Sequence, residues 1–210
     1  MKVWQRHCNL PIVGLTGSIS SGKTHVAKIA KSFGFQHLNT DDIAKSILVE
    51  VPQVQEWAHK LTGIHPVRPD GCIEKAFGVA LFSNPKMLGE YESFIHPMVF
   101  EQIKVSLDSL IPPYPKGVLL ESAIWRRLEE VPHFDSMWVV EAPNHLRVGR
   151  FLTKNSEGAD LYSKIELNQQ YSASTVNVPM FTIINDGRDL HQEIEKVCNE
   201  TINLWTESRN

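Results

Sequence analysis

A lysine and a threonine follow a glycine-containing turn, in a pattern that suits the binding of phosphate. The segment from Gly17 to Thr24 reads Gly-Ser-Ile-Ser-Ser-Gly-Lys-Thr and fits G-x-x-x-x-G-K-[ST] without a mismatch. A short apolar run over 11–16 precedes it, and residues 26–33 carry apolar side chains at helical spacing. In such a strand–turn–helix unit, backbone N–H groups converge on a phosphate at the positive end of the helix.

The pattern therefore predicts a phosphate-binding loop, the P-loop, formed by Gly17, Ser18, Ile19, Ser20, Ser21, Gly22, Lys23 and Thr24. Lys23 can reach the β- and γ-phosphates of a nucleotide, and the Thr24 hydroxyl can ligate Mg²⁺. The alternative is a Gly/Ser-rich turn that happens to precede a helix. Because pattern and context agree, we expect a nucleoside triphosphate site, with Mg²⁺ arriving with the nucleotide. A GTPase is disfavoured because the chain has no N-K-x-D-like segment for reading guanine.

Three polar residues follow or end apolar runs, where they can reach a ligand at one edge of a sheet. Asp41 follows the run over 35–39 and could orient or deprotonate an attacking hydroxyl, although it could equally cap the helix that starts there. Glu121 ends another run and is a candidate for the acid that holds Mg²⁺ through water. Asn185 follows the last run, where it forms a turn or lines the adenine pocket.

Cationic side chains form a stripe further along the chain. Arg147, Arg150 and Lys154 stand at i, i+3 and i+7, so a helix over 144–154 would place all three on one face. Such a helix could close over the γ-phosphate and stabilise the charge that is transferred. The alternative is a solvated helix face.

Apolar runs and helical periodicity alternate along most of the chain. The runs of strand length lie at 11–16, 35–38, 118–124, 137–141 and 181–184. This alternation predicts an α/β fold with a parallel sheet covered by helices on both faces, of the P-loop nucleoside triphosphate hydrolase type.

One stretch breaks that alternation and reads as a helical insertion. We expect a single domain over 1–210, with a nucleotide-binding core at 1–51 and 116–210, an insertion at 52–115 and a lid at 144–169. An ordinary long crossover is the alternative for the insertion. Its second half predicts a helix or helix pair that is interrupted near Pro97.

Composition narrows the function. A net charge of −3 argues against nucleic acid as the main partner. The sequence has no apolar run of membrane-spanning length and no signal-peptide pattern. Its three cysteines are far apart and in no metal spacing, which is typical of free thiols in a reducing cytoplasm. We expect a cytoplasmic monomer or weak homo-oligomer without a membrane partner.

Taken together, these segments resemble the dephospho-CoA kinase family over nearly the whole chain. The resemblance rests on the P-loop with its flanking strand, Asn39-Thr40-Asp41, Phe82-Ser-Asn-Pro85 followed by His96-Pro97, the spaced cations, Gln169 and the turn from Asn185 to Gly187. Departures from the family pattern include Ser18 and Ser20 in place of glycines, and Lys75 and Lys154 in place of arginines.

The resemblance implies transfer of the γ-phosphate of ATP to the ribose 3′-hydroxyl of dephospho-CoA. It implies Asp41, Lys23 and Arg150 as catalytic residues, with Lys154 and Asn185 at the nucleotide. Asp41, Lys75 and His96 would bind dephospho-CoA, although His96 could also be purely structural. Another P-loop kinase of small molecules or nucleotides and a catalytically silent ATP-binding protein remain as alternatives.

Overall fold

The computed structural model describes residues 2–123, 125, 130–154, 158–168 and 177–209. Its strands are β1 (Lys2–Val3), β2 (Ile12–Thr16), β3 (Phe35–Asn39), β4 (Gly117–Glu121), β5 (Glu130–Val131), β6 (Ser136–Glu141) and β7 (Met180–Ile184). Its helices are α1 (Lys23–Ser32), α2 (Thr40–Glu50), α3 (Pro52–Thr62), α4 (Lys75–Ser83), α5 (Pro85–Asp108), α6 (Asn144–Lys154), α7 (Gly158–Asn168) and α8 (His191–Glu207).

The chain divides into two compact units. One consists of Met1–Asn39 together with Leu110–Asn210 and contains both sheets, and the other consists of Thr40–Ser109 and is helical. The sequence predicts the insertion over 52–115. The helical unit, Thr40–Ser109, begins and ends earlier in the chain than this predicted insertion. No helix among the described residues combines the length and the apolarity needed to cross a membrane.

A five-stranded sheet with all strands parallel organises the first unit. Its strand order is β3-β4-β2-β6-β7, and β2 lies in the middle. The chain leaves β2 for one side of the sheet and later returns to its other side, which makes the carboxyl end of β2 the switch point where ligands bind in such sheets. The predicted α/β fold with a parallel sheet is confirmed.

Helices α1 and α8 pack on one face of this sheet. Alternate residues of β2, Val13 and Leu15, point into a core that also holds Val26 of α1 and Ile194 of α8. Both strand residues are fully buried. Since side chains alternate across a strand, the remaining residues of β2 point to the opposite face.

The helical unit is built from α2 to α5, with α5 packed against α2, α3 and α4. Asn84 accepts a hydrogen bond from the Met87 N–H at the start of α5, and Pro85 occupies its first turn. The predicted interruption near Pro97 is wrong, because α5 runs unbroken over 24 residues with that proline inside it. Ile95 and Val99 flank the proline and are buried, so packing offsets the hydrogen bond that the proline cannot make.

The strand and helix predictions near the P-loop are confirmed within a few residues at the element ends. A small second sheet is an addition to them: β1 pairs in parallel with β5 over two residues each. Strands this short carry no periodicity that a sequence pattern could reveal.

Candidate nucleotide site

The P-loop joins the carboxyl end of β2 to the start of α1, and two of its glycines have positive φ angles. Gly17 has φ 149° and Gly22 has φ 100°, both in the region that side chains disfavour. A Cβ on Gly17 would lie 2.2 Å from the Val140 carbonyl oxygen, and one on Gly22 would lie 2.0 Å from the side-chain nitrogen Nδ2 of Asn185. Only glycine fits at these two positions, so the pattern's glycines are required by close packing as well as by the turn.

Ser20 also has a positive φ, of 57°. It occupies one of the two P-loop positions at which the family that this sequence resembles usually has glycine. A left-handed conformation costs a non-glycine residue about 1–2 kcal/mol. The P-loop of this chain therefore contains local strain that a glycine would relieve.

Lys23 folds back over the loop that precedes it. Its Nζ donates hydrogen bonds to the carbonyl oxygens of Gly17, at 2.9 Å, and Ser18, at 3.2 Å. The first turn of α1 carries no acidic residue. The positive end of the helix and the lysine charge therefore act together at the P-loop, which favours an anion there.

Thr24 and Glu121 meet where α1 begins and β4 ends. The Thr24 hydroxyl donates to Glu121, at 3.1 Å from Oε1 and 3.4 Å from Oε2. Glu121 is 5% exposed, which is unusual for a glutamate. On its other side, His37 Nε2 lies 2.8 Å from Glu121 Oε2.

Arg150 of α6 reaches across to the P-loop and to the segment after β7. Its Nη1 lies 3.3 Å from the Ser21 carbonyl oxygen and 3.5 Å from that of Ser20. Its Nη2 donates to the backbone and side-chain oxygens of Asn185, at 3.3 Å and 3.1 Å. The Asn185 amide in turn donates to the Ser21 carbonyl at 2.9 Å, so three segments are tied together at this point.

Arg147 on the same helix points elsewhere. Its Nη1 donates to Glu166 Oε1 of α7 at 2.7 Å, and the Tyr162 hydroxyl lies 3.3 Å from the same oxygen. The Tyr162 hydroxyl also donates to Asn144, at 3.0 Å. Burial raises the pKa of Tyr162, against an opposing effect of Arg147, so the phenol stays protonated and able to donate. These contacts join α6 and α7 into a helix pair.

A cleft of about 620 Å³ opens at the carboxyl edge of the sheet. Its lining combines the P-loop, the acid of β4, the end of α6 and the segment after β7. The lining residues are Ser20, Gly22, Lys23, Thr24, His25, Glu121, Arg150, Thr153, Lys154, Asn185, Gly187 and Arg188. The cleft has the size of a small-molecule site, and its side chains are predominantly polar and cationic.

Comparison with known proteins assigns the chain to a kinase family. The family model described as "Dephospho-CoA kinase" matches residues 11–190. The chain belongs to the dephospho-CoA kinase family. It is 28% identical to a dephospho-CoA kinase from Fusobacterium nucleatum subsp. nucleatum, with 92% of this chain and 100% of the relative covered. A relative of the same name from Carboxydothermus hydrogenoformans is 29% identical, with 72% of this chain and 74% of that protein covered.

Solved structures resemble the fold as well. TT1252 from Thermus thermophilus superposes with a TM-score of 0.66 at 25% identity, covering 91% of this chain and 97% of that one. Dephospho-CoA kinase from Campylobacter jejuni gives a TM-score of 0.52 at 18% identity, covering 95% and 98%, and so supports the fold alone.

The site residues expected from the family lie in both units. Lys23, Thr24, Arg150, Lys154 and Asn185 are brought together around the cleft of the first unit.

The remaining three lie in the helical unit. Asp41 is exposed in the first turn of α2, Lys75 is exposed at the first residue of α4, and His96 stacks on Phe100 within α5 at 5.9 Å between ring centroids. Gln169, expected at the end of the lid, lies outside the described residues.

Three lining residues of the cleft, His25, Thr153 and Arg188, are additions to the sequence-based set, and so is His37 beside Glu121. Arg188 is held by Asp186, at 3.5 Å, and Glu193, at 3.3 Å. His37 contacts Glu121 from β3. Alternation along β3 places His37 on the same face as the buried Phe35, where a polar side chain calls for a partner, and that pattern could have revealed it.

Proposed function

We propose that this protein is a dephospho-CoA kinase that transfers the γ-phosphate of ATP to the ribose 3′-hydroxyl of dephospho-CoA. Membership of the family supports the reaction. The observation that supports specific roles for individual residues is the cleft, in which the P-loop faces two cations of α6 and a buried acid. Such a cleft provides what phosphoryl transfer requires, namely positioning of the triphosphate and compensation of its charge.

ATP would place its phosphates against the P-loop. The N–H groups at the start of α1 and the ammonium of Lys23 would bind the β- and γ-phosphates. To do so, Lys23 would exchange its two carbonyl contacts within the loop for phosphate oxygens. Asn185 and the turn to Gly187 border the same cleft and would lie at the adenine end.

The donor set beside the P-loop fits Mg²⁺. The Thr24 hydroxyl and the Glu121 carboxylate offer oxygen atoms in direct contact with each other, and Mg²⁺ prefers oxygen ligands. Within the described residues, no group of three or more His, Cys, Asp or Glu side chains could hold a metal by itself. A bound Mg²⁺ would keep waters and phosphate oxygens as ligands, with Thr24 binding directly and Glu121 through water. Bound there, Mg²⁺ would neutralise phosphate charge.

Transfer would proceed by attack of the 3′-hydroxyl oxygen on the γ-phosphorus. The bond from that phosphorus to the oxygen bridging the β- and γ-phosphates breaks, and ADP leaves with the electron pair. The hydroxyl proton would pass to the carboxylate of Asp41, which would also orient the hydroxyl. We infer this role from the position that Asp41 shares with the family's acid.

Arg150 and Lys154 would stabilise the charge on the transferring group. Each cation about 4 Å from a phosphate oxygen contributes about 4 kcal/mol at an effective dielectric constant of about 20. The contacts of Arg150 with Ser21 and Asn185 hold its guanidinium beside the P-loop, so little reorganisation would be needed at the moment of transfer.

The helical unit would bind the acceptor. Lys75 offers a cation for the phosphates of dephospho-CoA, and His96 offers a ring and a hydrogen-bonding nitrogen. We also propose a cytoplasmic location, since Cys72 and Cys198 form no disulfide among the described residues, which suits a reducing compartment.

The decisive experiment incubates the purified protein with ATP, Mg²⁺ and dephospho-CoA and analyses the products by mass spectrometry. We expect dephospho-CoA to gain one phosphoryl group at the 3′-position while ADP forms in equal amount. Nucleoside monophosphates and simple sugars serve as competing acceptors. Phosphorylation of one of these instead would contradict the proposed acceptor, and tight ATP binding without turnover on any acceptor would indicate a silent binding protein.

A further inference from the structure

A histidine that the P-loop pattern does not include is in contact with the buried acid of the cleft. His37 Nε2 lies 2.8 Å from Glu121 Oε2, and both side chains are shielded, with 19% and 6% exposed. An ionised carboxylate can only accept hydrogen bonds, so the hydrogen is assigned to Nε2 of the histidine. The histidine thus donates to the same carboxylate that accepts from Thr24.

The two donors approach Glu121 from different elements. Thr24 approaches from α1 and lies closer to Oε1, whereas His37 approaches from β3 and contacts Oε2. A glutamate side chain has three rotatable bonds, and one contact leaves its carboxylate free to turn. Two contacts at the two oxygens fix both the plane and the direction of the group.

The backbone explains why these groups meet. In the parallel pair of β3 and β4, His37 lies opposite Leu119, and Glu121 is two residues further along β4. Residues two apart share a face, so His37 and Glu121 lie on the face of the sheet that packs against α1. Towards the carboxyl end of the strands, the side chains on this face change from apolar to polar, next to the start of α1.

From this geometry we propose that His37 is a positioning residue for the divalent cation that accompanies ATP. Its Nε2–H holds the Glu121 carboxylate in the orientation in which that group and the Thr24 hydroxyl receive the hydrated ion. The inference rests on the proposed function only for the use of a metal–nucleotide complex and not for the identity of the acceptor. Outer partners of metal-binding groups typically change metal affinity by about 10–100-fold when they are removed.

The test measures Mn²⁺ binding to the ATP-bound protein, without acceptor, by electron paramagnetic resonance. We expect His37→Ala to weaken Mn²⁺ binding by about 10-fold or more, while ATP affinity in excess EDTA stays at the wild-type value. His37→Gln should recover most of the loss, because the glutamine amide can donate to the same carboxylate. His133→Ala is a matched control, since His133 lies 3.5 Å from Asp135 in another histidine–carboxylate contact, and it should leave Mn²⁺ affinity unchanged.

A double variant separates positioning from a general loss of structure. If His37 acts through Glu121, then His37→Ala should have almost no further effect on Mn²⁺ affinity in a Glu121→Gln background. Equal weakening in both backgrounds, wild-type Mn²⁺ affinity in a folded His37→Ala variant, or no recovery in a folded His37→Gln variant overturns the inference. Absence of metal-dependent ATP binding in the wild-type protein overturns it too. Failure to phosphorylate dephospho-CoA, with these binding results intact, contradicts only the proposed function.

Discussion

Removal of the Arg150 guanidinium should impair turnover far more than it impairs folding. The guanidinium lies 3.3 Å from the Ser21 carbonyl oxygen and 3.1 Å from Asn185 Oδ1, at the border of the cleft. Loss of one cation near the transferring phosphate removes about 4 kcal/mol at an effective dielectric constant of about 20. Because about 1.4 kcal/mol corresponds to a factor of ten in rate, Arg150→Ala should lower kcat/KM for ATP by about 10³-fold.

Two further variants separate charge from geometry and from position on α6. Arg150→Lys keeps the charge but cannot contact Ser21 and Asn185 with a planar fork, so it should recover only part of the activity. Arg147→Ala removes a cation from the same helix whose partner is Glu166, 2.7 Å away on α7. We expect it to lower stability by about 1 kcal/mol and to leave turnover within about tenfold of wild type.

The assay couples ADP release from ATP and dephospho-CoA to a spectrophotometric reaction, and each variant is also melted by circular dichroism. We expect Arg150→Ala to melt near the wild-type temperature while its turnover collapses. Equal and modest losses for Arg150→Ala and Arg147→Ala would refute the assignment, because the charge of α6 would then act without regard to position.

Three other predictions concern separate parts of the molecule. Asp41→Asn should lower kcat by about 10²–10⁴-fold if the carboxylate accepts the hydroxyl proton, and normal turnover with a lower melting temperature would assign it to helix capping. Ser20→Gly should raise the free energy of unfolding by up to about 1 kcal/mol in denaturant titrations, because glycine relieves the φ of 57°; Ser20→Val should lower it, and the opposite order would contradict the strain. Burial raises the pKa of Cys198 to about 12, so at pH 8 that thiol should react with a disulfide reagent only after unfolding. The exposed Cys72 should react at once. Rapid labelling of both cysteines in the native protein, detected by mass spectrometry, would contradict this prediction.

The strands and the helix of the P-loop could be predicted because their patterns are local. An apolar run, a glycine turn and helical spacing follow one another over 11–33, and each feature points to the same strand–turn–helix unit. The helix over 144–154 could also be predicted from local spacing, and α6 has those same bounds.

Other features depend on partners that are distant in sequence. Arg147 and Arg150 look equivalent in the pattern, and only the packing of α7 assigns Arg147 to Glu166, 19 residues further on. The contact between His37 and Glu121 spans 84 residues and requires the register of β3 with β4. Continuation of α5 through Pro97 depends on the buried side chains around it, which local propensity does not include.

Titration of ATP with excess Mg²⁺ into the purified protein, followed by calorimetry, measures whether a triphosphate binds at the P-loop, and every proposed role depends on that binding. We expect saturable one-to-one binding for the wild type and affinity that is weaker by about 10-fold or more for Lys23→Ala, since a charge-assisted contact contributes about 1.5–3 kcal/mol. Absence of binding at millimolar ATP, or equal affinity in the two proteins, would contradict binding of the triphosphate by the P-loop and Lys23.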